Sequence, residues 1–227
     1  MGNIMDIDIL KVLREILVRI PVVFFALGLH EWAHAFVAVK LGDDTPKKLK
    51  RLTPNPLKHI DPVGMVVFFV FGFGWSRPIP INPIRFKNKF WNILAISLAG
   101  PIFSLLLAFI TGVIFYGLGF FQYSYFFNIN ASDSNFIIMY LADLMGYFMI
   151  VNFIIFIFNL LPFMPLDVSK IWMAFLTSKH MKNVIKYQIY GILILLILII
   201  LGAVSLFMDP IIKDFQNSII KLFDWLK

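Results

Sequence analysis

The sequence predicts an all-α polytopic membrane protein, with about four to six transmembrane helices and a re-entrant segment. Three observations carry this. The first is composition: of 227 residues, 60% are apolar and 15% charged, and mean hydropathy is +0.85. Such a chain is solvated by lipid and does not have the charged shell of a soluble protein. The second is the alternation of apolar runs of spanning length with short basic loops. The third is that no polar stretch is long enough to fold as a separate soluble domain. The expected organisation is an amphipathic or surface helix over 1–20, one membrane domain over 21–208 and a tail over 209–227.

Residues 4–20 place Asp8, Lys11, Glu15 and Arg19 at steps of three and four, with Ile and Leu on the other faces. This pattern fits a helix lying on the membrane or an outer extension of the first span, with Pro21 as the joint. The first span runs from Val22 to Leu41, about 30 Å of helix. The stretch from Gly42 to Pro62 is polar and basic. Val63 to Gly74 is apolar, but twelve helical residues reach only about 18 Å, so it is expected to be re-entrant. A second basic stretch follows (Arg77, Arg85, Lys87 and Lys89), so both flanks are expected in the cytoplasm.

Trp75 to Asn82 reads as extended. Pro78 and Pro80 lie two apart and remove N–H groups from one edge, while Ile79 and Ile81 keep theirs on the other. That second edge is suited to pairing with an extended peptide, and a rigid Pro-rich loop is the alternative. Phe90 to Phe121 is apolar and expected to break at Gly100-Pro101, with the residues after the break spanning. Ser97, Ala99 and Gly100 are small and allow close helix approach. Gln122 to Asn135 has no Lys or Arg and is placed outside. Phe136 to Leu161 returns inward, carrying Asp143, Asn152 and Asn159, and Pro162 and Pro165 end it. Lys170, Lys179, Lys182 and Lys186 mark the cytoplasm again, and Ile189 to Phe207 is the last span. Four spans with both termini outside result.

The formal charge of +7 is carried by these loops, which accounts for it without nucleic acid as a partner. The absence of Cys excludes disulfides, a Cys nucleophile and Cys metal ligands. No signal peptide is expected, since no basic segment precedes a cleavable apolar core.

The chemistry lies in the first span, at His30-Glu31-Trp32-Ala33-His34. Residues four apart share a helix face, so His30 and His34 can hold one metal ion, with Glu31 one position round, in reach of a metal-bound water. Ionisable groups at membrane depth are costly and mark functional sites. The pattern selects zinc, although the ligand types suit other divalent ions too. The motif lies about 10–16 Å from the Leu41 end of its span, nearer the cytoplasmic side. A catalytic zinc takes three protein ligands. His59 and His180 fall in polar stretches. Of the carboxylates, Asp143 lies toward the outer surface, whereas Asp167 lies at the inner end of its span beside two prolines, so Asp167 is the expected third ligand. An N-cap at the surface is the other reading of Asp167.

Four stretches then resemble the site-2 protease family of intramembrane zinc metalloproteases (M50), in particular its small prokaryotic group without a PDZ domain. They are HEWAHAFVAVKLGD at 30–43; NPLKHIDPVG at 55–64 with GWSRPIPINP at 74–83; LAGP at 98–101; and NLLPFMPLD at 159–167. Residues 1–20 and 188–227 match nothing specific. The resemblance implies one Zn2+ per chain held by His30, His34 and Asp167, with Glu31 as catalytic base. Asn159 would sit near the metal and position substrate, and Asn159 or His59 would help stabilise the oxyanion. Pro78, Ile79, Pro80, Ile81 and Asn82 would lie in a short membrane-embedded hairpin that presents substrate as an added strand. The implied partners are the lipid bilayer and transmembrane protein substrates, cleaved within or near their membrane segments, in a prokaryotic cell membrane. The chain departs from the family pattern at Val168, where Gly usually follows the Asp, and at Ser104, where Asn is frequent. A transporter using intramembrane His and Asp, and an inactive binder of the same fold, are the competing readings.

Overall fold

The structure, a computed structural model, describes residues 9–71, 74–82, 85–124, 135–161, 166–171, 175 and 181–225. Pro83, most of the outward loop after Gln122, Pro162, Pro165, Lys179 and His180 lie outside them. Among the described residues the chain is helical, without strands: α1 (Ile9–Lys40), α2 (Thr45–Lys48), α3 (Pro62–Phe71), α4 (Lys89–Gly117), α5 (Phe136–Asn159), α6 (Met181–Ile200) and α7 (Ala203–Trp225). Short 3-10 turns cover Pro56–Lys58, Phe120–Gln122 and Val168–Ile171. Three of these helices are long and apolar enough to cross a membrane, within Leu13–Lys40, Lys89–Gly117 and Phe136–Asn159, and the bent pair of α6 and α7 makes a fourth when taken as one span. The chain is an all-α polytopic membrane protein.

α1, α4 and α5 pack on one another and form the bundle that holds the site. The buried face of α1 is small (Ala26, Ala33, Ala35 and Ala38), which brings its backbone close to α4 and α5. Larger side chains on the outer faces, among them Phe25, Ile102, Leu106, Phe109, Ile110 and Ile137, are exposed, as lipid-facing positions are.

Three elements differ from the sequence expectation. Pro21 is not a joint, because residues 9–20 continue α1 through it. Pro21 cannot supply the N–H that would bond the Leu17 carbonyl, and the Tyr140 hydroxyl of α5 donates to that carbonyl instead, at 3.1 Å. Nor does Gly100-Pro101 break α4, which runs through both residues; packing against α1 supports the helix there. The last span does not run straight from Ile189 to Phe207. α6 stops at Ile200, Gly202 adopts φ +72°, and α7 leaves at 74° to α6. The segment read as a tail is therefore helical to Trp225. Phe215, Ile219 and Phe223, at helical spacing, pack it against Phe115 of α4 and Met149 of α5.

α3 is ten residues long, about 15 Å. Asp61 caps its start by accepting from the N–H groups of Val63 and Gly64, both at 2.9 Å. Ile60 before α3 and Ser76 after it form an isolated antiparallel bridge, so the chain leaves this helix beside the point where it entered. That bridge is all of the expected hairpin that the described residues contain.

Candidate active site

His30, Glu31 and His34 are carried by α1, the two histidines one turn apart, and all three are buried. The two histidines turn their Nε2 atoms toward each other, 3.2 Å apart. Each ring is fixed from behind. His34 Nδ1 lies 2.6 Å from the Ile96 carbonyl oxygen; a carbonyl only accepts, so Nδ1 carries a proton, which leaves Nε2 as the nitrogen available to a metal. His30 Nδ1 lies 3.0 Å from Ser104 Oγ. The rings have room only because residue 100 has no side chain: a Cβ on Gly100 would lie 2.3 Å from His34 Nε2 and 2.7 Å from His30 Nε2.

Asp167 completes the group from the far end of the sequence. Its Oδ2 lies 2.8 Å from His30 Nε2 and 3.0 Å from His34 Nε2. The ligand atoms of His30, His34 and Asp167 all lie within 4.8 Å of one another. Two imidazoles with Nδ1 already engaged and one carboxylate form a donor set that fits zinc, leaving a fourth position open. Asp143, the other carboxylate weighed, is elsewhere: it accepts from Arg14 Nε at 3.0 Å and Ser124 Oγ at 2.7 Å. The turn after Asp167 uses no left-handed residue, in keeping with Val168. It is a 3-10 turn, and Lys170 reaches back from it to Asp167 Oδ1 at 2.5 Å.

Glu31 is held by the segment after α3. Ser76 Oγ donates to Glu31 Oε1 at 2.6 Å, and the Ile79 N–H donates to Oε2 at 3.1 Å. Ile79, expected at substrate, uses this N–H within the protein. Its N–H is on the predicted edge, opposite the prolines, but that edge faces the protein and already has an acceptor. Arg77 on the same edge donates its N–H to the His59 carbonyl at 2.7 Å. Asn82, expected at substrate, donates its N–H to buried Asp43 at 2.7 Å. Ile81 packs against a core of Ala38, Phe86, Ile93 and Ile96. Pro78 is exposed and Pro80 half-buried.

Asn159 braces the Asp167 backbone: its Oδ1 faces the Asp167 N–H at 3.4 Å, and its Nδ2 donates to the Ile155 carbonyl at 3.0 Å. His59 does not join the cluster. It is buried, with Nε2 2.8 Å from the Thr53 carbonyl oxygen and Nδ1 unpartnered. Burial pushes its imidazole down, against the opposing influence of the Thr53 carbonyl and Glu31.

Sequence reasoning missed Ser76, Ser104, Gly100 and Lys170 as site residues. Ser104 and Gly100 left a signal, since both lie in or beside the LAGP motif; Ser76 and Lys170 left none beyond proximity to motif residues.

Fold and site together define a polytopic membrane protein in which an HExxH helix and a distant Asp form a buried group that could hold a metal ion. A protein of Bacillus subtilis (strain 168) described as "Putative zinc metalloprotease YwhC" is 37% identical over 198 residues, covering 86% of this chain and 85% of that protein. The chain belongs to this zinc metalloprotease family, in keeping with the site-2 protease resemblance of its motifs. No family model matches the chain, and no solved structure does.

Proposed function

We propose that the protein is a site-2-type intramembrane zinc endopeptidase that hydrolyses peptide bonds within or near the transmembrane segments of other membrane proteins. The observation that carries this reading is the placement of Glu31 beside the convergent His30, His34 and Asp167, inside a helix apolar and long enough to span. When bound, zinc supplies Lewis-acid activation of a water and of the scissile carbonyl. His30, His34 and Asp167 would hold it. Glu31, next in sequence to His30, takes a proton through its carboxylate and returns it to the leaving amine. Ser76 and the Ile79 N–H fix the orientation of that carboxylate. Asn159 supports the Asp167 backbone.

Within the bilayer a substrate helix has its carbonyls engaged, so it must unwind before a carbonyl can reach the site. Substrates with Gly, Pro or polar residues near the cut are favoured. The basic loops on either side of α3 support a site nearer the cytoplasmic side of the membrane, which we take to be a prokaryotic cell membrane. The test is cleavage of a model transmembrane peptide in detergent or liposomes. Glu31→Gln is expected to keep one zinc per chain and lose cleavage; a Glu31→Gln protein that cuts at the wild-type rate contradicts the assigned base.

A further inference from the structure

Asp167 gives its two oxygens to different partners. Oδ2 faces His30 and His34 at 2.8 and 3.0 Å, while Oδ1 faces the Lys170 ammonium at 2.5 Å. Lys170 comes three residues later in a 3-10 turn, where side chains at i and i+3 eclipse. Its side chain is only 19% exposed. The turn carrying both residues is tied by Ser169, whose hydroxyl donates to the Leu166 carbonyl at 2.6 Å, and by Asn159 at the Asp167 N–H.

We propose that Lys170 is a positioning residue that keeps Asp167 a one-oxygen ligand and so leaves the fourth metal position open to water. The inference rests on the zinc reading of the site given above. A carboxylate beside a divalent ion binds through one oxygen or two. A two-oxygen Asp167 would fill the place that a catalytic site keeps vacant. Swinging Oδ1 toward the ion would break a largely buried, charge-assisted hydrogen bond to Lys170, which opposes that motion. It would also leave the ammonium without its carboxylate next to a second cation, which opposes the motion further in a medium of low dielectric. A neutral residue at 170 removes both obstacles; an arginine keeps them.

The test uses the full-length protein loaded with cobalt(II) in place of zinc, without substrate, because cobalt's visible absorption weakens when coordination rises from four to five. Wild type and Lys170→Arg are expected to give the same intense, four-coordinate spectrum. Lys170→Met and Lys170→Ala are expected to keep one metal per chain but to lose at least half of that intensity. Alongside, their kcat with zinc is expected to fall tenfold or more, at a KM within twofold of wild type. Two neutral variants are used so that a folding defect in one leaves the other readable. A wild-type spectrum in both neutral variants overturns the proposal. So does loss of the metal from both, which would make Lys170 a general support of the site. If the wild type cleaves no peptide, the proposed function fails, and the cobalt spectra still decide the role of Lys170.

Discussion

Ser76 Oγ sits 2.6 Å from Glu31 Oε1 and donates to it across 45 residues of sequence. Together with the Ile79 N–H on Oε2, it fixes the carboxylate that the proposed mechanism uses as the base. Ser76→Ala removes one of these two donors and leaves the metal ligands intact. Steady-state kinetics on a transmembrane peptide should show kcat lowered about tenfold, a modest part of what a positioned general base contributes, with KM and zinc content within twofold. Ser76→Thr should restore most of the rate. An unchanged kcat in Ser76→Ala would mean that the Ile79 N–H suffices.

Gly100 is placed against both imidazoles, so the smallest side chain is too large. Its Cβ would fall 2.3 Å from His34 Nε2, and neither ring can retreat while its Nδ1 is engaged. Gly100→Ala should fold with α4 intact by circular dichroism but bind zinc at least tenfold more weakly in a chelator competition. Gly112→Ala, on the same helix facing Ile219 and Met149, should lower stability without changing zinc affinity.

The Tyr140 hydroxyl replaces the backbone donor that Pro21 lacks. Tyr140→Phe should leave the Leu17 carbonyl unsatisfied and cost about 1–2 kcal/mol of stability. In a Pro21→Ala background the new N–H can reach the same carbonyl, and Tyr140→Phe should then cost much less. A double-mutant cycle measured by denaturant unfolding in detergent reads this coupling.

His59 makes stability depend on pH. Its imidazole pKa is lowered in the fold by burial, so as pH falls through about 6.5 the unfolded chain binds more proton than the folded chain does. Stability from this group is complete above about pH 6.5 and is lost as pH falls from there toward the lower folded value. Between about pH 7.5 and 5.5 the wild-type melting temperature should fall more than that of His59→Gln. Equal falls in the two proteins would show that His59 does not contribute to the pH dependence.

The parts legible in the sequence were those set by local spacing or by span topology. His30, Glu31 and His34 lie within one helical turn, and their grouping follows from helix geometry alone. Asp167 was reachable because charge in the loops placed its end of α5 on the side of the two histidines. Pairwise tertiary contacts were not legible. Propensity alone marks Pro21 and Pro101 as interruptions, because it has no knowledge of Tyr140 or of α1 packed alongside. The proline spacing gives the N–H edge at Ile79, yet whether that edge faces a partner or the chain's own Glu31 depends on how residues 59–60 and 76–77 meet. The bend at Gly202 escaped because the apolar run continues through it, and the amphipathic face of α7 was hidden by its balanced charges.

His30, His34 and Asp167 are proposed to hold one zinc ion for peptide hydrolysis. The most direct measurement is elemental analysis of purified wild type, His34→Ala and Asp167→Ala, with cleavage of the same transmembrane peptide assayed in parallel. About one zinc per chain in wild type, with metal and cleavage reduced in both variants, is the predicted result. Full zinc occupancy in Asp167→Ala, or a wild type that binds none, would contradict it.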